Sequence, residues 1–293
     1  MNGINYTLTG ESRRGEVSSY HYKPAPLHYG KTAFKEDVAG LKKIAQRNAI
    51  RFDGNEYNSR FTIGFEIEKN ALHRGAVKEY ELFCGFERDG SCGYEAVTHI
   101  LPLLPAGQWR TKIFDMMHKA EKIIDDRFSP SDRRCGGHIT IAVEGLDGHE
   151  LRDAIRVNSG IFLALFRKRL QNSYCNSNAR MENPSNSGTF FNGYHHKYQL
   201  ALVKGNCLEF RLPSKVESVK QLMRRYELFY EVVDFTINTP NGTHSALLKR
   251  IKPILLSMYN GDNDKVNAIF KLAEHFREFI LNRTIHEDIR QYL

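Results

Sequence analysis

The alternation of apolar and polar residues along the chain predicts a set of strands. Between Arg60 and Glu68 the two kinds of residue alternate with a period of two, which is typical of a strand. By this pattern and by enrichment in β-branched residues, strands are predicted at 60–68, 80–86, 94–100, 138–143, 198–203 and 207–212. Turns are predicted at Asp89-Gly90-Ser91 and Lys204-Gly205-Asn206, and Pro102 and Pro105 are predicted to break the strand pattern.

Elsewhere apolar residues recur at a spacing of three and four, which predicts helices. The predicted helices lie at 34–49, 113–124, 151–166, 216–233, 247–258 and 266–281. Asp147 and Glu150 have the spacing of a capping box at the start of the third helix, and Pro253 predicts a kink or a break in the fifth. Strands with interspersed helices, followed by a helical tail, indicate an α+β fold.

This order of elements predicts three stretches of chain. Residues 1–32 show no periodicity and are predicted to form an extended arm. Residues 33–215 hold the sheet and its helices, and residues 216–293 add helices that pack on the same single domain. Within the second stretch, residues 172–193 are rich in Asn, Ser and Gly, and a loop of that length is commonly functional.

The charge of the chain suits an acidic partner. Among 293 residues, 42 are Lys or Arg and 34 are Asp or Glu, which gives a formal net charge of +8. Such a charge favours nucleotide phosphates, an anionic polymer or nucleic acid, although dispersed basic residues are also explained by a solvated surface. No apolar segment approaches the roughly 20 residues of a membrane span, and the N-terminus lacks the apolar core of a secretory signal. A cytoplasmic protein without membrane contact is therefore expected.

The cysteines favour reduced thiols. There are five of them, an odd number with no C-x-x-C pair, which argues against a disulfide framework. A zinc site stays open as an alternative, because Cys135 and His138 are three residues apart.

The candidate chemistry starts from Glu66 and Glu68. Residues two apart on a strand point to the same face and lie about 6.6 Å apart along the chain, so both carboxylates are predicted to project together. Two carboxylates aimed at one place repel each other unless a cation or a proton lies between them. The alternative is an exposed strand face with two ordinary surface acids.

Three other predicted strands carry residues of matching chemistry. Glu95 follows a predicted turn, and His138 follows two glycines. Glu209 stands two residues before Arg211 on one strand face, so a metal ligand and an anion-binding guanidinium would lie side by side. Each has a simpler alternative: a surface glutamate, a hydrogen-bonded histidine, or a salt bridge worth less than about 1 kcal/mol if exposed.

Taken in order, these segments resemble a known group of enzymes. The succession G-F-E-I-E, D-G-S-C-G-Y-E-A-V-T, C-G-G-H-I-T-I and L-E-F-R-L-P is similar to the glutamine-synthetase-like superfamily. Within it, the likeness is to the carboxylate–amine ligases called amidoligases, a group with phage-encoded branches. The resemblance covers about residues 60–215. It implies an antiparallel sheet whose catalytic face is lined by carboxylates and which is packed by helices.

The resemblance also implies roles for individual residues. The implied metal ligands are Glu66, Glu68, Glu95, His138 and Glu209. Arg211 would neutralise the transferred phosphate, and Asp89 and Ser91 would shape the acceptor pocket. Arg180 and Lys197 are candidate contacts to the nucleotide phosphates, with solvent-exposed side chains as the alternative. Catalysis would then depend on Arg211, Glu66 and Arg180.

The implied reaction is ATP-dependent formation of an amide bond through an acyl-phosphate intermediate. Two or three Mg²⁺ or Mn²⁺ ions would offset the clustered acids. The substrates would be small-molecule or peptide carboxylates and amines, and an acidic polymer, nucleic acid or further copies of the chain are candidate partners. A phage-encoded enzyme of this kind would act in the host cytoplasm.

Two other functions stay open at this point. The first is a non-catalytic protein of the same fold that holds an acidic polymer or nucleic acid. The second is a phosphotransferase that acts on a guanidino or amine group, since such kinases share the catalytic architecture.

Overall fold

The computed structural model describes residues 4–6, 50–52, 59–73, 82–89, 91–170, 200–204 and 207–282. The strands in these ranges are β1 (Ile4–Tyr6), β2 (Ile50–Phe52), β3 (Phe61–Lys69), β4 (Phe83–Asp89), β5 (Gly93–Thr98), β6 (Leu101–Pro102), β7 (Gly137–Val143), β8 (Ala201–Lys204) and β9 (Cys207–Phe210). The helices are α1 (Gln108–Lys119), α2 (Glu121–Ile124), α3 (Gly148–Arg156), α4 (Gly160–Leu165), α5 (Val219–Asn238), α6 (His244–Met258) and α7 (Asn263–Asn282). This mixture of strands and helices confirms the predicted α+β class.

The chain divides into two compact units, each drawn from separate stretches of sequence. The described residues of the first unit come from Met1–Asp147, Gly205–Cys207 and Ser214–Met223. Those of the second unit come from Gly148–Lys204, Leu208–Pro213 and Arg224–Leu293. Within the described ranges, no helix combines the length and apolar character that a membrane crossing requires.

The first unit is built on antiparallel strands with β3 between its neighbours. The strands follow the order β4-β5-β3-β7, and the short β6 also pairs with β3. All nine residues of β3 are buried, so both of its faces are covered. A one-residue slip would exchange apolar and acidic side chains between these faces, and the register is therefore strongly specified.

Several predicted boundaries are wrong. Pro102 does not break the sheet: it belongs to β6 and lies opposite Thr62 of β3. Proline lacks only the N–H donor, so a short edge strand tolerates it. The helix predicted at 113–124 is two helices, α1 and α2, divided at Ala120. At Pro253, by contrast, α6 continues without a break.

The helix predicted at 151–166 is likewise two helices, α3 and α4. Between them the Ser159 hydroxyl donates to the Arg156 carbonyl at 2.6 Å, and the Asn158 amide donates to the Thr236 hydroxyl at 2.9 Å. Such side-chain bonds compete with the helical hydrogen-bond ladder and favour a turn. The predicted helix at 34–49, the predicted loop at 172–193 and most of the 1–32 arm lie outside the described residues.

A buried lysine anchors the end of β3. Lys69 follows Glu68 and therefore faces the opposite side of the strand. Its ammonium group donates to the carbonyls of Ile124 at 2.6 Å and Val216 at 2.8 Å, and to the Asp126 carboxylate at 2.7 Å. Burial lowers the pKa of Lys69 from its ordinary value, against the opposing effect of Asp126. These bonds tie the strand to the end of α2, to Asp126 just after it and to the segment before α5.

Asp126 is the shared acceptor of this network. It also accepts hydrogen bonds from Ser131 at 2.6 Å and from Lys215 at 3.0 Å. Burial raises the pKa of Asp126, but the bonds from Lys69, Ser131 and Lys215 together outweigh burial and hold it below its ordinary value.

In the second unit, three phenylalanines join β9 to two helices. The ring of Phe162 in α4 lies 4.5 Å from that of Phe229 in α5, and Phe210 of β9 lies 5.1 Å from each. These centroid distances are typical of stacked and edge-on aromatic pairs. Because successive strand residues face opposite sides, Glu209 lies on the other face of β9.

Replacing Asp126 should destabilise the protein in a pH-dependent way. Asp126→Asn should lower the free energy of unfolding at neutral pH by about 2–4 kcal/mol, because the buried Lys69 ammonium loses its counter-ion. The pKa of Asp126 is lowered by folding, so its contribution is complete above the unfolded-state pKa and is lost as pH falls through the folded-state pKa. Urea denaturation of the wild type and of Asp126→Asn, at a series of pH values from neutral to acidic, measures this contribution to the free energy of unfolding.

The matched control for that experiment is Asp115→Asn, which changes an exposed aspartate of α1. It should follow the wild type at every pH. The difference in the free energy of unfolding between Asp126→Asn and wild type should shrink in acid. A difference that stayed constant would contradict the assignment of Asp126 as the counter-ion of Lys69.

Gly160 allows close packing of α4 against α7. A Cβ atom at this position would lie 2.3 Å from the Ala273 carbonyl oxygen and 3.0 Å from the Arg277 nitrogen, both backbone atoms. Gly160→Ala should therefore force the helices apart and lower the free energy of unfolding by about 1–3 kcal/mol. Chemical denaturation measures the change, and an unaltered or raised stability would contradict this account.

Candidate metal centre

The register of three strands gathers four ionisable residues on one face. Glu66 of β3 lies opposite His138 of β7, and Glu68 of β3 lies opposite Glu95 of β5. Side chains of directly opposed residues point to the same face of a sheet. The E-x-E strand therefore stands between a partner histidine on one side and a partner glutamate on the other, all in the first unit.

The imidazole of His138 lies at the centre of the three carboxylates. Its Nδ1 is 3.2 Å from Glu66 Oε2 and 4.0 Å from Glu95 Oε1, and its Nε2 is 3.6 Å from Glu68 Oε1. One donor atom from each of Glu68, Glu95 and His138 lies within 4.8 Å of the other two. That spacing is short enough for a single ion to contact all three residues.

All four side chains of this cluster are buried, which strengthens the electrostatic repulsion among the carboxylates. The exposed fractions are 4% for Glu66, 8% for Glu68, 3% for Glu95 and 7% for His138. Ionised carboxylates this close together in a dry environment repel strongly, and a cation or bound protons must offset the repulsion. The alternative of ordinary surface acids on an exposed strand face is thus wrong.

Glu68 is held in place by the backbone. The amide of Gly136 donates to Glu68 Oε2 at 2.5 Å, and the Glu68 amide donates to the Gly136 carbonyl at 3.2 Å. Oε1 of the same carboxylate faces His138. The segment that leads into β7 therefore fixes one oxygen of Glu68 and leaves the other directed at the cluster.

Glu95 depends on a glycine for its position. Gly93, at the start of β5, has a φ of 120°, which L-residues rarely adopt, and a Cβ there would lie 2.6 Å from the Asn70 carbonyl oxygen. Only glycine permits this turn beside the end of β3. The turn brings Glu95 into register with Glu68.

The donor set fits a divalent cation. Carboxylate oxygens are the ligands that Mg²⁺ and Mn²⁺ prefer, and an imidazole nitrogen among them shifts the preference towards Mn²⁺. The alternative zinc site finds no support: among the described residues, the groups of close donor atoms contain no cysteine. The neighbour of Cys135 is instead another cysteine. A hydrogen bond from Cys92 lowers the pKa of Cys135.

Glu209 and Arg211 lie in the second unit. Glu209 is fully buried and forms ion pairs with Lys204 and with Arg211, whose Nη1 is 2.5 Å from Glu209 Oε1. The two side chains form the salt bridge that the E-x-R spacing allows, although β9 ends at Phe210 and Arg211 lies just beyond it. The role of Glu209 as a metal ligand stays a prediction.

The remaining predicted site residues are placed as follows. Asp89 ends β4 opposite Gly93, and its side chain is outside the description. Ser91 lies half-buried in the turn before β5. Arg180 and Lys197 lie outside the described residues, so their proposed contacts to phosphate stay predictions.

Sequence reasoning missed three features near the cluster. These are the Lys69 anchor, the Gly136 amide that holds Glu68, and the Cys92–Cys135 contact. A signal existed only for Lys69, because it falls on the apolar face of β3, where a charged residue must find buried partners. The other two depend on contacts between loops that are far apart in the sequence, and such contacts leave no local pattern.

Comparison with the models of known protein families gives no match to this chain, and comparison with curated proteins gives no significant match either.

Removing one carboxylate should separate cation binding from stability. Glu95→Gln should weaken Mn²⁺ binding at least roughly tenfold, since loss of supporting groups alone has effects of that size at metal sites. It should also raise the melting temperature without metal, because it relieves repulsion inside the cluster. Titration calorimetry and thermal denaturation with and without Mn²⁺ measure both effects.

The control is Glu144→Gln, which neutralises an exposed glutamate just after β7. It should bind Mn²⁺ like the wild type. Equal Mn²⁺ affinity in Glu95→Gln and wild type would contradict the assignment of Glu95 as a ligand.

Proposed function

We propose that this chain is an ATP-dependent carboxylate–amine ligase whose divalent-cation site is formed by Glu68, Glu95 and His138. The observation that carries the proposal is the buried cluster of carboxylates around one imidazole in the first unit. Its members come from the same segments that resemble the amidoligases. The cluster and the order of the motifs therefore favour the same chemistry.

The cation would supply charge neutralisation: it would offset the phosphates of ATP, so that a substrate carboxylate accepts the γ-phosphoryl group and an amine then displaces phosphate. The protein's contribution is to hold its ligands before the ion arrives. β3 fixes Glu68 between β5 and β7, and the Gly136 amide fixes one carboxylate oxygen. Ligands held in this way need little rearrangement on binding.

Glu66 has a distinct task in this proposal. Its carboxylate is the one nearest His138, at 3.2 Å from Nδ1. A carboxylate that accepts a hydrogen bond from the Nδ1–H group fixes the orientation of the ring. It also leaves Nε2 as the nitrogen that can bind a metal. Nε2 is the nitrogen that faces Glu68. Glu66 therefore serves as a positioning residue for His138, in addition to the ligand role that the sequence implies.

Arg211 is the proposed partner of the transferred phosphoryl group. Its planar guanidinium suits bidentate contact with phosphate oxygens, and Glu209 holds one of its nitrogens. Arg180 and Lys197 keep their proposed roles as further phosphate contacts. A phosphotransferase would use the same residues, so only the product distinguishes it from a ligase.

The test is product analysis with the full-length chain. ADP release should require Mg²⁺ or Mn²⁺ and should depend on both a carboxylate and an amine, supplied as panels of amino acids and peptides. Phosphorus NMR and mass spectrometry should identify inorganic phosphate and an amide. A phosphoramidate product would instead establish the phosphotransferase.

Arg211→Gln should lower kcat roughly 10³-fold, the smallest effect typical of an arginine that stabilises a transferring phosphoryl group. Arg60→Gln, which changes an exposed arginine just before β3, is the control and should leave kcat unchanged. No nucleotide binding and no ADP release with any pair would refute the enzyme. Nucleic-acid binding that weakens steeply with salt would then favour the binding protein.

A further inference from the structure

Two buried thiols lie beside the end of β3. Cys92 immediately precedes β5, and Cys135 lies two residues before β7. Their exposed fractions are 5% and 1%, and neither forms a disulfide. The Cys92 thiol donates to the Tyr94 carbonyl at 3.5 Å, and its interaction with Cys135 lowers the pKa of Cys135, although the two cysteines belong to different loops.

Asn70 fixes the distance between these loops. Its side-chain amide donates to the Cys92 carbonyl at 3.1 Å and to the Asp132 carboxylate at 3.3 Å. Its backbone amide donates to the Pro130 carbonyl at 2.8 Å, and the Cys135 amide donates to the Asp132 carbonyl at 3.1 Å. The residue that follows Lys69 therefore holds both cysteine-bearing segments, and the thiol contact is part of a built structure.

The surroundings favour thiol chemistry. The guanidinium of Arg134 interacts electrostatically with both sulfur atoms, and it lies on an exposed residue of the same loop as Cys135. The pKa of Cys135 is lowered, first by the hydrogen bond from Cys92, and this favours the thiolate, which is the reactive form of cysteine. Arg133 and Arg134, which immediately precede Cys135, are exposed, so this loop lies at the surface of the protein.

Both cysteines are directly connected to the cation site. Cys135 is bonded to Gly136, whose amide holds Glu68 at 2.5 Å. Cys92 is bonded to Gly93, whose turn sets the position of Glu95. The pair therefore bridges the two segments that place Glu68 and Glu95.

We propose that Cys92 and Cys135 form a reversible disulfide that weakens divalent-cation binding by Glu68, Glu95 and His138. The effect on cation binding depends on the proposed function, because it requires the cation site. A covalent S–S bond is shorter than a hydrogen bond between the same two sulfur atoms, so oxidation draws the two loops together. The Gly136 amide then moves away from Glu68, and the position of that carboxylate is lost.

The oxidant is a peroxide, and the reaction balances with it. One thiolate attacks a peroxide oxygen, the O–O bond breaks, and a sulfenic acid forms with release of water or an alcohol. The second thiol attacks the sulfenic sulfur, an S–S bond forms, and water leaves. Two thiols have then lost two electrons and two protons to one peroxide, and a dithiol reductant reverses the change by exchange.

The first experiment detects the bond itself. The full-length chain is treated with hydrogen peroxide, alkylated and digested with trypsin, which cuts after Arg88, Arg110, Arg134 and Arg152. The expected product is a cross-linked pair of the peptides 89–110 and 135–152, lost after reduction. Cys92→Ala and Cys135→Ala should not form it, and Cys207→Ala, which removes another buried thiol, should form it like the wild type.

The second experiment measures Mn²⁺ affinity before and after oxidation by titration calorimetry. In the wild type and in Cys207→Ala, oxidation should weaken Mn²⁺ binding roughly tenfold or more, the usual effect of disturbing a group that supports a metal ligand. Reduction should restore it. In Cys92→Ala, oxidation should leave the Mn²⁺ affinity unchanged. Circular dichroism of each variant shows that it is folded, and Cys92→Ser replaces Cys92→Ala should the latter fail to fold.

The outcomes separate the two proposals. Absence of the cross-linked peptides in peroxide-treated wild type overturns the disulfide, whatever the protein binds. If the cross-link forms but the Mn²⁺ affinity does not change, the proposal that the disulfide controls the cation site is overturned. If the reduced wild type binds no Mn²⁺, the proposed function and the control of the site both fail, while the peptide analysis still decides whether the disulfide forms.

Discussion

The pairing of β3 with β5 and β7 is the constraint from which the candidate site follows. Glu66 and Ile67 of β3 have partners on both β5 and β7, and both faces of the strand are buried, so its register is strongly specified. With that register, Glu66 must meet His138 and Glu68 must meet Glu95. A buried group of acids with one imidazole is a direct result of strand geometry and of four residues at the right positions.

The opposite face of the same strand explains how the protein supports such a cluster. Repulsion among carboxylates tends to push the strands apart, and apolar burial alone gives no fixed end to β3. Lys69 supplies that end, since its ammonium group has three acceptors: Ile124 at the end of α2, Asp126 just after it, and Val216 before α5. The face that carries the carboxylates is costly in free energy and could hold a cation, whereas the anchor face satisfies its own charge internally.

Much of this arrangement could be predicted from the sequence, and the reason is periodicity. The alternation at Glu66 and Glu68 shows which side chains share a face, and the β-branched run after His138 predicts β7. The sequence could not show that β3 lies between β5 and β7, because pairing between distant segments leaves no local pattern. It also could not show that Gly136 holds Glu68 or that Cys92 meets Cys135, since those contacts depend on how loops meet at the end of a strand. Boundaries failed where a side chain overrode the local pattern, as Ser159 does between α3 and α4.

The interleaving of the two units has a consequence for synthesis on the ribosome. The first unit takes residues from Met1–Asp147 but also from Ser214–Met223, and that last segment includes Val216, whose carbonyl accepts from Lys69. The anchor of β3 therefore cannot be completed until residues 148–204 and 208–213 of the second unit have left the ribosome. Until then the acidic face of the strand lacks its full support, and the nascent chain depends on contacts between residues far apart in sequence, which form slowly. We expect the first unit to reach its final structure late in synthesis, after residues 214–223 have been made.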